Sequence, residues 1–527
     1  MRKVLLYICS VFILGGMTSC EDFLDKREDV GLTEDDIFRD YYSLRGFLDQ
    51  SFNQLENVMV MDNWENGRAF VGLFADEMAT TDNSSAVFTL HSGNWLSNAK
   101  SNKTFEIGNA GSTAISRSYK ALRINNRIIN DIDKAPLTPE QKNEILGQAY
   151  FYRSWFYFQV IKRYGGMPII DKVFEGGDDD IPRMTYHESH DWMMEDIQKA
   201  IYMLPDSWDD PNYGRPTKIA AMALKEWAQL FDASPLMQND LNSTENKGYD
   251  TERAKSAAKS AYEVIRYMDG SKSAPYPYGL ASKEEYTNVF YFKYPPVHQP
   301  EYIWVKRQFP NAANQNQKRT IRTFWQYEDL AFGSGPDGNS MCCPSLNIVN
   351  MFDKKGADGI YYPIDDPRSG YALDYDHKPF EDRDPRFYNN ILLPGTTWGH
   401  YADGRTYYIT TYKGGAAYQH MLTQKDCNKR MFTGFMCKKF MWPECNQYLE
   451  KNNPNCWWDY RFLTIYIRAS QIYLDYAEAL FEGCGSATAT IEGCPISAAE
   501  AINILRRRIG LTDLPSDIVA DPDKFRA

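Results

Sequence analysis

TPEQKNEILGQAYFYRSWFYFQVIKRYGGMPII, residues 138–170, decides how the rest of the chain is read. Its start is marked three times over. Thr138 can cap a helix, Pro139 falls at the first helical position where its missing N–H costs nothing, and Gln141 completes a capping box. Its end is marked by Gly165 and Gly166, which tolerate the left-handed geometry after a helix, and by Pro168, which blocks continuation. The span between is about 26 residues, or roughly 39 Å of helix. Ile145, Ala149, Tyr152, Phe156 and Val160 form one apolar stripe, and Phe151, Trp155, Phe158 and Ile161 form a second. A helix that is apolar on two sides is covered on two sides, so other helices must pack around this one.

Working outward, the same periodicity recurs in pairs. Leu32 to Val58 reads as a helix with Thr33 as cap and acids in its first turn, as the helix dipole favours. Ala114 to Asp133 reads as a helix running antiparallel to the central one. Tyr186–Leu204, opening at a Thr185-x-x-Glu188 box, pairs with Thr217–Ala233. Thr251–Met268 carries Ala254, Ala257, Ala258 and Ala261 on one face, which lets a neighbour come close. Helices return at Arg468–Gly483 and Ser497–Ile509. Helix pairs at intervals of roughly 35–70 residues point to a mainly α fold, a tetratricopeptide-like α–α superhelix.

Between the helical parts (32–58, 114–268 and 468–527) the chain changes character. Residues 269–467 are rich in Gly, Pro, Asn and Tyr, with short alternating runs such as Glu301–Arg307 and Thr406–Tyr412 that suit small β-hairpins. Residues 59–112 form a second polar, loop-rich stretch, long enough to suggest function rather than mere connection.

The first 19 residues read as a secretory signal peptide. Arg2 and Lys3 precede a short apolar run, Val4 to Leu14, and Gly15–Ser19 supply small residues before Cys20. This arrangement resembles a bacterial lipobox, with Met17 in place of the usual Leu, and implies a lipid on Cys20. Glu21 and Asp22 resemble the surface-export signal of Bacteroidetes lipoproteins. Residues 20–31 then form a charged tether, and 32–527 a single domain. Two acyl chains hold a protein stably at a membrane where one does not. The net charge is −12, and since residues 1–19 hold two cations and no acid, the chain from Cys20 stands at −14. With no basic run to neutralise phosphates, nucleic acid is excluded as a partner. The eight cysteines after Cys20 contain no C-x-x-C pair, which argues against zinc. Cys484 and Cys494, bracketing CGSATATIEGC, are the easiest disulfide to close.

The run AYFYRSWFYFQVIKRYGGMPII (149–170) resembles the signature of the SusD/RagB family, R-A-x-x-Y-x-x-L-x-x-x-Y-G-G-x-P-L-I. Further matches follow in order. GRPTKIAAMALKEWAQLF (214–231), PSLNIVNMF (344–352), FEDRDPRFYNNI (380–391), RASQIYLDYAEALFEG (468–483) and SAAEAINILRRRIGL (497–511) are each similar to a family landmark. The fourth match implies a strand around D-R-D-P-R-F, with Arg383 and Arg386 paired to carboxylates. Family members are cell-surface lipoproteins that hand glycans, or sometimes peptides, to a TonB-dependent transporter. The resemblance therefore implies an oligosaccharide ligand, a SusC-like transporter partner and an outer-membrane address. The family usually continues past a last helix that this chain begins at Asp521-Pro522, so a truncated chain is expected.

Nothing in the residues asks for catalysis. Nucleophile elbows, H-E-x-x-H sites and P-loops are missing from the sequence. Its adjacent acids (Asp35-Asp36, Asp178–Asp180, Asp209-Asp210, Asp365-Asp366) are of a kind usually just solvated. A glycosidase needs two carboxyls facing one sugar, one of them with a raised pKa. His187 and His190 lie i, i+3 without an obvious third ligand. No cofactor is expected; calcium in the Asp178–Asp180 loop is the one alternative.

A sugar instead needs an exposed aromatic platform for its C–H face and amides or acids for its hydroxyls. Trp95 with Asn98, Trp325 with Tyr327, Asn339, and Trp398 with Tyr401 have that chemistry in loops. Trp95, Asn98 and Trp325 lead because family ligand sites are similarly placed in those two loop regions. A peptide-capturing family member, a surface glycosidase and a ligand-free scaffold are the alternatives.

Overall fold

A computed structural model describes residues 33–55, 75–79, 114–174, 180–238, 245, 247–273, 276–290, 299–307, 343–374, 376–400, 406–410, 412–415, 433–439 and 463–527. The first half is helical: α1 (Glu34–Phe38), α2 (Tyr41–Gln54), α3 (Ala114–Asp131), α4 (Pro139–Tyr164), α5 (Tyr186–Met203), α6 (Lys218–Ala233) and α7 (Thr251–Gly270), with the short strand β1 (Met78–Ala79) after α2. The irregular region holds β2 (Tyr302–Arg307), β3 (Cys343–Pro344), α8 (Leu346–Asn350), β4 (Lys354–Lys355), β5 (Tyr361–Tyr362), α9 (Pro385–Asn390), β6 (Ile391–Leu392), β7 (Thr397–His400), β8 (Thr406–Tyr408) and β9 (Met436–Cys437). The chain then returns through β10 (Leu463–Arg468) to α10 (Ala469–Cys484), α11 (Ala498–Arg508), α12 (Ser516–Ala520) and α13 (Pro522–Arg526).

The helices pack in sequence order: α2 on α3, α3 on α4, α4 on α5, α5 on α6 and α6 on α7. The next layer is α10, which lies against α7 and then carries α11. This is the tetratricopeptide-like superhelix that the periodicity predicts, with one long excursion between α7 and α10.

The central helix α4 is built as its ends require. Thr138 accepts from Gln141 N while the Gln141 side chain accepts from Thr138 N, and Gly165 stops the helix at φ +77°. Gly166 is needed for a second reason. A Cβ there would lie 2.1 Å from the carbonyl oxygen of Met184, so only glycine lets the strand before α5 pass so closely. Both apolar stripes are buried, from Ile145 through Ile161. On one side Phe151 and Trp155 meet Trp304 of β2 edge-on, at ring distances of 4.8 and 4.6 Å. On another Tyr157 meets Trp192 of α5 at 4.8 Å. Arg153 crosses the same layer: it forms a buried, bidentate pair with Asp196 at 2.5 and 2.8 Å and donates to Asn126 at 2.9 Å.

Within the described residues the strands form two-stranded ribbons, and the largest, β2 with β10, is antiparallel and lies over α4. It carries Trp304 and Tyr466, whose rings stand 4.6 Å apart. Polar knots then fasten the irregular region to the helices. Fully buried Glu301 accepts from Ala281 N at 3.1 Å and pairs with Arg508 at 2.8 Å and Arg468 at 3.3 Å. Arg506 of α11 reaches Asp353 at 2.8 Å.

Four expectations are corrected. The N-terminal helix is two helices, because Asp40 turns to β geometry and starts a fresh cap on Ser43 N. The D-R-D-P-R-F segment is a short helix, α9, which Asp384 caps and Pro385 opens. Arg386 does pair with a carboxylate, Asp384, but Arg383 does not. It is buried among backbone carbonyls, donating to Val349 at 2.6 Å, Phe352 at 2.7 Å and Pro379 at 3.0 Å. Finally, Cys484 and Cys494 are free thiols. Cys494 is turned inward against the Ala258 carbonyl of α7, away from the bridge that its spacing suggests.

Candidate functional site

The candidate ligand residues are described only in part. Trp95 and Asn98 (within 80–100), Trp325, Tyr327 and Asn339 (within 308–342), Tyr401 and the lipid-bearing Cys20 all lie outside the described residues. Trp398 is placed by its backbone, in β7. What the structure does show is where these loops start and stop.

The stretch bearing Trp95 leaves β1, and the stretch bearing Trp325 and Asn339 ends at β3. These two strands pair with each other, Met78 opposite Pro344 and Ala79 opposite Cys343. Ser345 N adds a bond of 2.9 Å to the Glu77 carbonyl. β3 in turn lies beside β9, and β9 pairs with β6, Ile391 opposite Cys437 and Leu392 opposite Met436. From β6 the chain turns directly into the β7–β8 hairpin that holds Trp398, with Thr397 opposite Tyr408. Thus three loop segments, far apart in sequence, are rooted in neighbouring ribbons. Two-residue strands leave no periodic signal, so sequence reading could not have found this convergence.

The hairpin is firmly seated. Ile409 is buried, donates to Thr396 O and accepts from Gly395 N, both at 2.9 Å. Beneath it Val349, Phe352, Phe387 and Ile391 make a small apolar core of their own. Above it Tyr408 (48% exposed) and Tyr412 (46% exposed) present rings to solvent. Sequence reading placed Tyr408 in a strand but did not pick it for the site. Next to the ribbons Lys439 sits over the Phe290 ring at 4.7 Å. Burial pulls its ammonium down to about 8, and the Arg468 charge adds to the effect.

Two other hollows differ in kind. One, of about 50 Å³, is lined by Trp208, Tyr278, Gln299 and Trp304, and has room for a water or two but not for a sugar ring. The other is a cleft of about 1040 Å³ between α10, α11 and α12–α13, with Leu474, Phe481, Ile518 and Phe525 in its walls. Its charged residues are largely matched: Arg526 pairs with Glu482 at 2.8 Å and Arg506 with Asp353.

No group of three or more His, Cys, Asp or Glu among the described residues could hold a metal. Asp178 and Asp179 fall outside them. His187 and His190 do meet a third group, Asp232 of α6, at 2.6 and 3.5 Å, but Arg253 of α7 pairs with the same carboxylate. The result is an ion-pair knot joining α5, α6 and α7. Burial pushes the Asp232 carboxyl up, yet His187, His190 and Arg253 together hold it below its ordinary value. Burial also pulls the His190 imidazolium down. One carboxyl pair has a raised pKa, Glu226 with Asp475; Glu226 is buried in the helical layer and Asp475 is half-buried beside it.

The helical layers thus form an α-solenoid that carries a ribbon-rooted set of loops. The chain belongs to the SusD/RagB family: residues 22–226 match the family model described as starch-binding associating with the outer membrane, and residues 300–525 match the SusD family model. Among curated relatives, the SusD-like protein P38 of Formosa agariphila is 28% identical over 102 residues, 19% of this chain and 20% of that protein, so the match spans about a fifth of the relative's length. Among solved structures, a SusD-like protein from Bacteroides fragilis superposes with a TM-score of 0.65 at 22% identity, covering 94% of this chain and 83% of the other. A SusD-like carbohydrate-binding protein from the same organism gives 0.64 at 19% identity, over 93% and 82%. No helix among the described residues is long and apolar enough to cross a membrane.

Proposed function

We propose that this is a cell-surface, outer-membrane lipoprotein, anchored through Cys20, that binds an oligosaccharide without cleaving it and passes it to a SusC-like TonB-dependent transporter. The observation that carries the reading is the convergence of the loop roots. The segments bearing Trp95 and Asn98, Trp325 and Asn339, and Trp398 all arise from the joined ribbons β1–β3 and β6–β9, beside exposed Tyr408 and Tyr412. Aromatic rings supply the platform for a sugar's C–H face, and the amides and hydroxyls satisfy its rim. Family membership and the carbohydrate-binding relative support the ligand class.

The test is affinity electrophoresis of the mature protein in gels containing a panel of polysaccharides, with released reducing ends measured in parallel. Retardation without release is the expected outcome. Trp95→Ala and Trp325→Ala should each abolish retention while leaving the circular dichroism spectrum unchanged. Normal retention by both folded variants would remove these residues from the site, and release of reducing ends would make the protein a hydrolase.

A further inference from the structure

A buried acid faces a half-buried one where the superhelix closes, and the glycan reading makes no use of them. Glu226 of α6 is 1% exposed, and neither of its carboxyl oxygens accepts a hydrogen bond from a donor. The group that faces it is another carboxyl, Asp475 of α10. Asp475 accepts from Gln471 Nε2 at 3.2 Å, one turn away on its own helix. Two facing carboxylates, one of them fully buried, have no attractive interaction; with a proton on one of them, they form a short, strong hydrogen bond.

Among the described residues, the groups that bear on the two carboxyls include no cation. The groups bearing on Glu226 reduce to Asp475, and those bearing on Asp475 are Gln471, Glu478 and Glu226. Glu478 adds negative charge, and itself accepts from the Tyr249 hydroxyl at 2.7 Å. On α7, which packs against both helices, Glu263 pairs with Lys225 of α6 at 4.0 Å and Lys255 pairs with Glu252 at 2.8 Å. On α11, which packs against α10, Arg506 is taken by Asp353 at 2.8 Å.

We propose that Glu226 and Asp475 share a proton at neutral pH and join α6 to α10 through a carboxyl–carboxylate hydrogen bond, so that the closure of the superhelix loosens as pH rises. Burial pushes Glu226 well up, and it pushes Asp475 up to about 7, with Glu478 adding to that shift. An acid whose folded-state pKa is raised takes up a proton on folding. Its contribution is complete below the ordinary carboxylate range and is lost progressively as pH rises towards the raised value. Each retained proton therefore costs about a tenfold drop in the folding constant per pH unit across that window. The helix that loosens, α10, is a wall of the large cleft through Leu474, Ala477 and Phe481.

Denaturant unfolding of the mature chain between pH 5 and pH 8 tests this against Glu226→Gln and Asp475→Asn. The wild-type folding constant should fall more steeply with pH than that of either variant, by about tenfold per unit for each proton retained. Equal slopes in all three proteins would overturn the proposal. Should either variant fail to fold, the infrared spectrum of the wild type in heavy water decides. A protonated-carboxyl band present at pH 6.5 and fading on titration above it supports the pair, and its absence at pH 6.5 overturns it.

Discussion

The helical layers and the irregular region hold themselves together by different means. In α3 to α7 and α10–α11, apolar stripes interlock and buried Arg153 is neutralised side chain to side chain, by Asp196. In 343–400 the same residue type is used against the backbone. Arg383 gathers the carbonyls of Val349, Phe352 and Pro379, groups that a regular helix or sheet would have satisfied by itself. Where periodic structure is scarce, a five-donor guanidinium stands in for it.

The contrast can be broken most severely in the helical layer. Arg153→Ala leaves buried Asp196 with only Lys199, at 3.6 Å, and should cost about 3 kcal/mol, read as a fall in the midpoint of the main unfolding transition. A small effect would mean that Lys199 takes over as the partner of Asp196. Arg383→Met should act locally instead, with three carbonyls orphaned at about 1–3 kcal/mol each. Limited proteolysis within 343–392 should accelerate while the helical circular dichroism transition stays in place; a shift of the whole transition would show the two regions to be one cooperative unit. Thr138→Ala should be the mildest, costing about 1 kcal/mol through loss of one cap.

That division also governed what could be read in advance. The capping boxes at Thr138 and Thr185 and the alanine face of α7 rest on interactions within a few residues, and these reappear in the structure close to their expected bounds. Arg383 was misplaced because its geometry is set by carbonyls some 30 residues away, whereas the D-R-D-P-R-F segment carries a local helix start at Asp384 and Pro385 that the strand reading passed over. The convergence of β1 with β3 links Met78 to Pro344 and has no local signature at all. For the candidate site the sequence supplied the residue chemistry, and only the ribbons supplied a reason for the loops to meet.

The contact between α7 and α10 bears on how the molecule comes into being. The chain leaves the helical stack at Gly270 and rejoins it at Ala469, about 200 residues later. Bringing two such distant points together costs about 5 kcal/mol in chain entropy before any contact rewards it. A nascent polypeptide emerging amino-end first thus carries α7 (Thr251–Gly270) without its α10 neighbour until about the last ninth of the chain is delivered. That interval is when a nascent chain exposes the most apolar surface to whatever else is present.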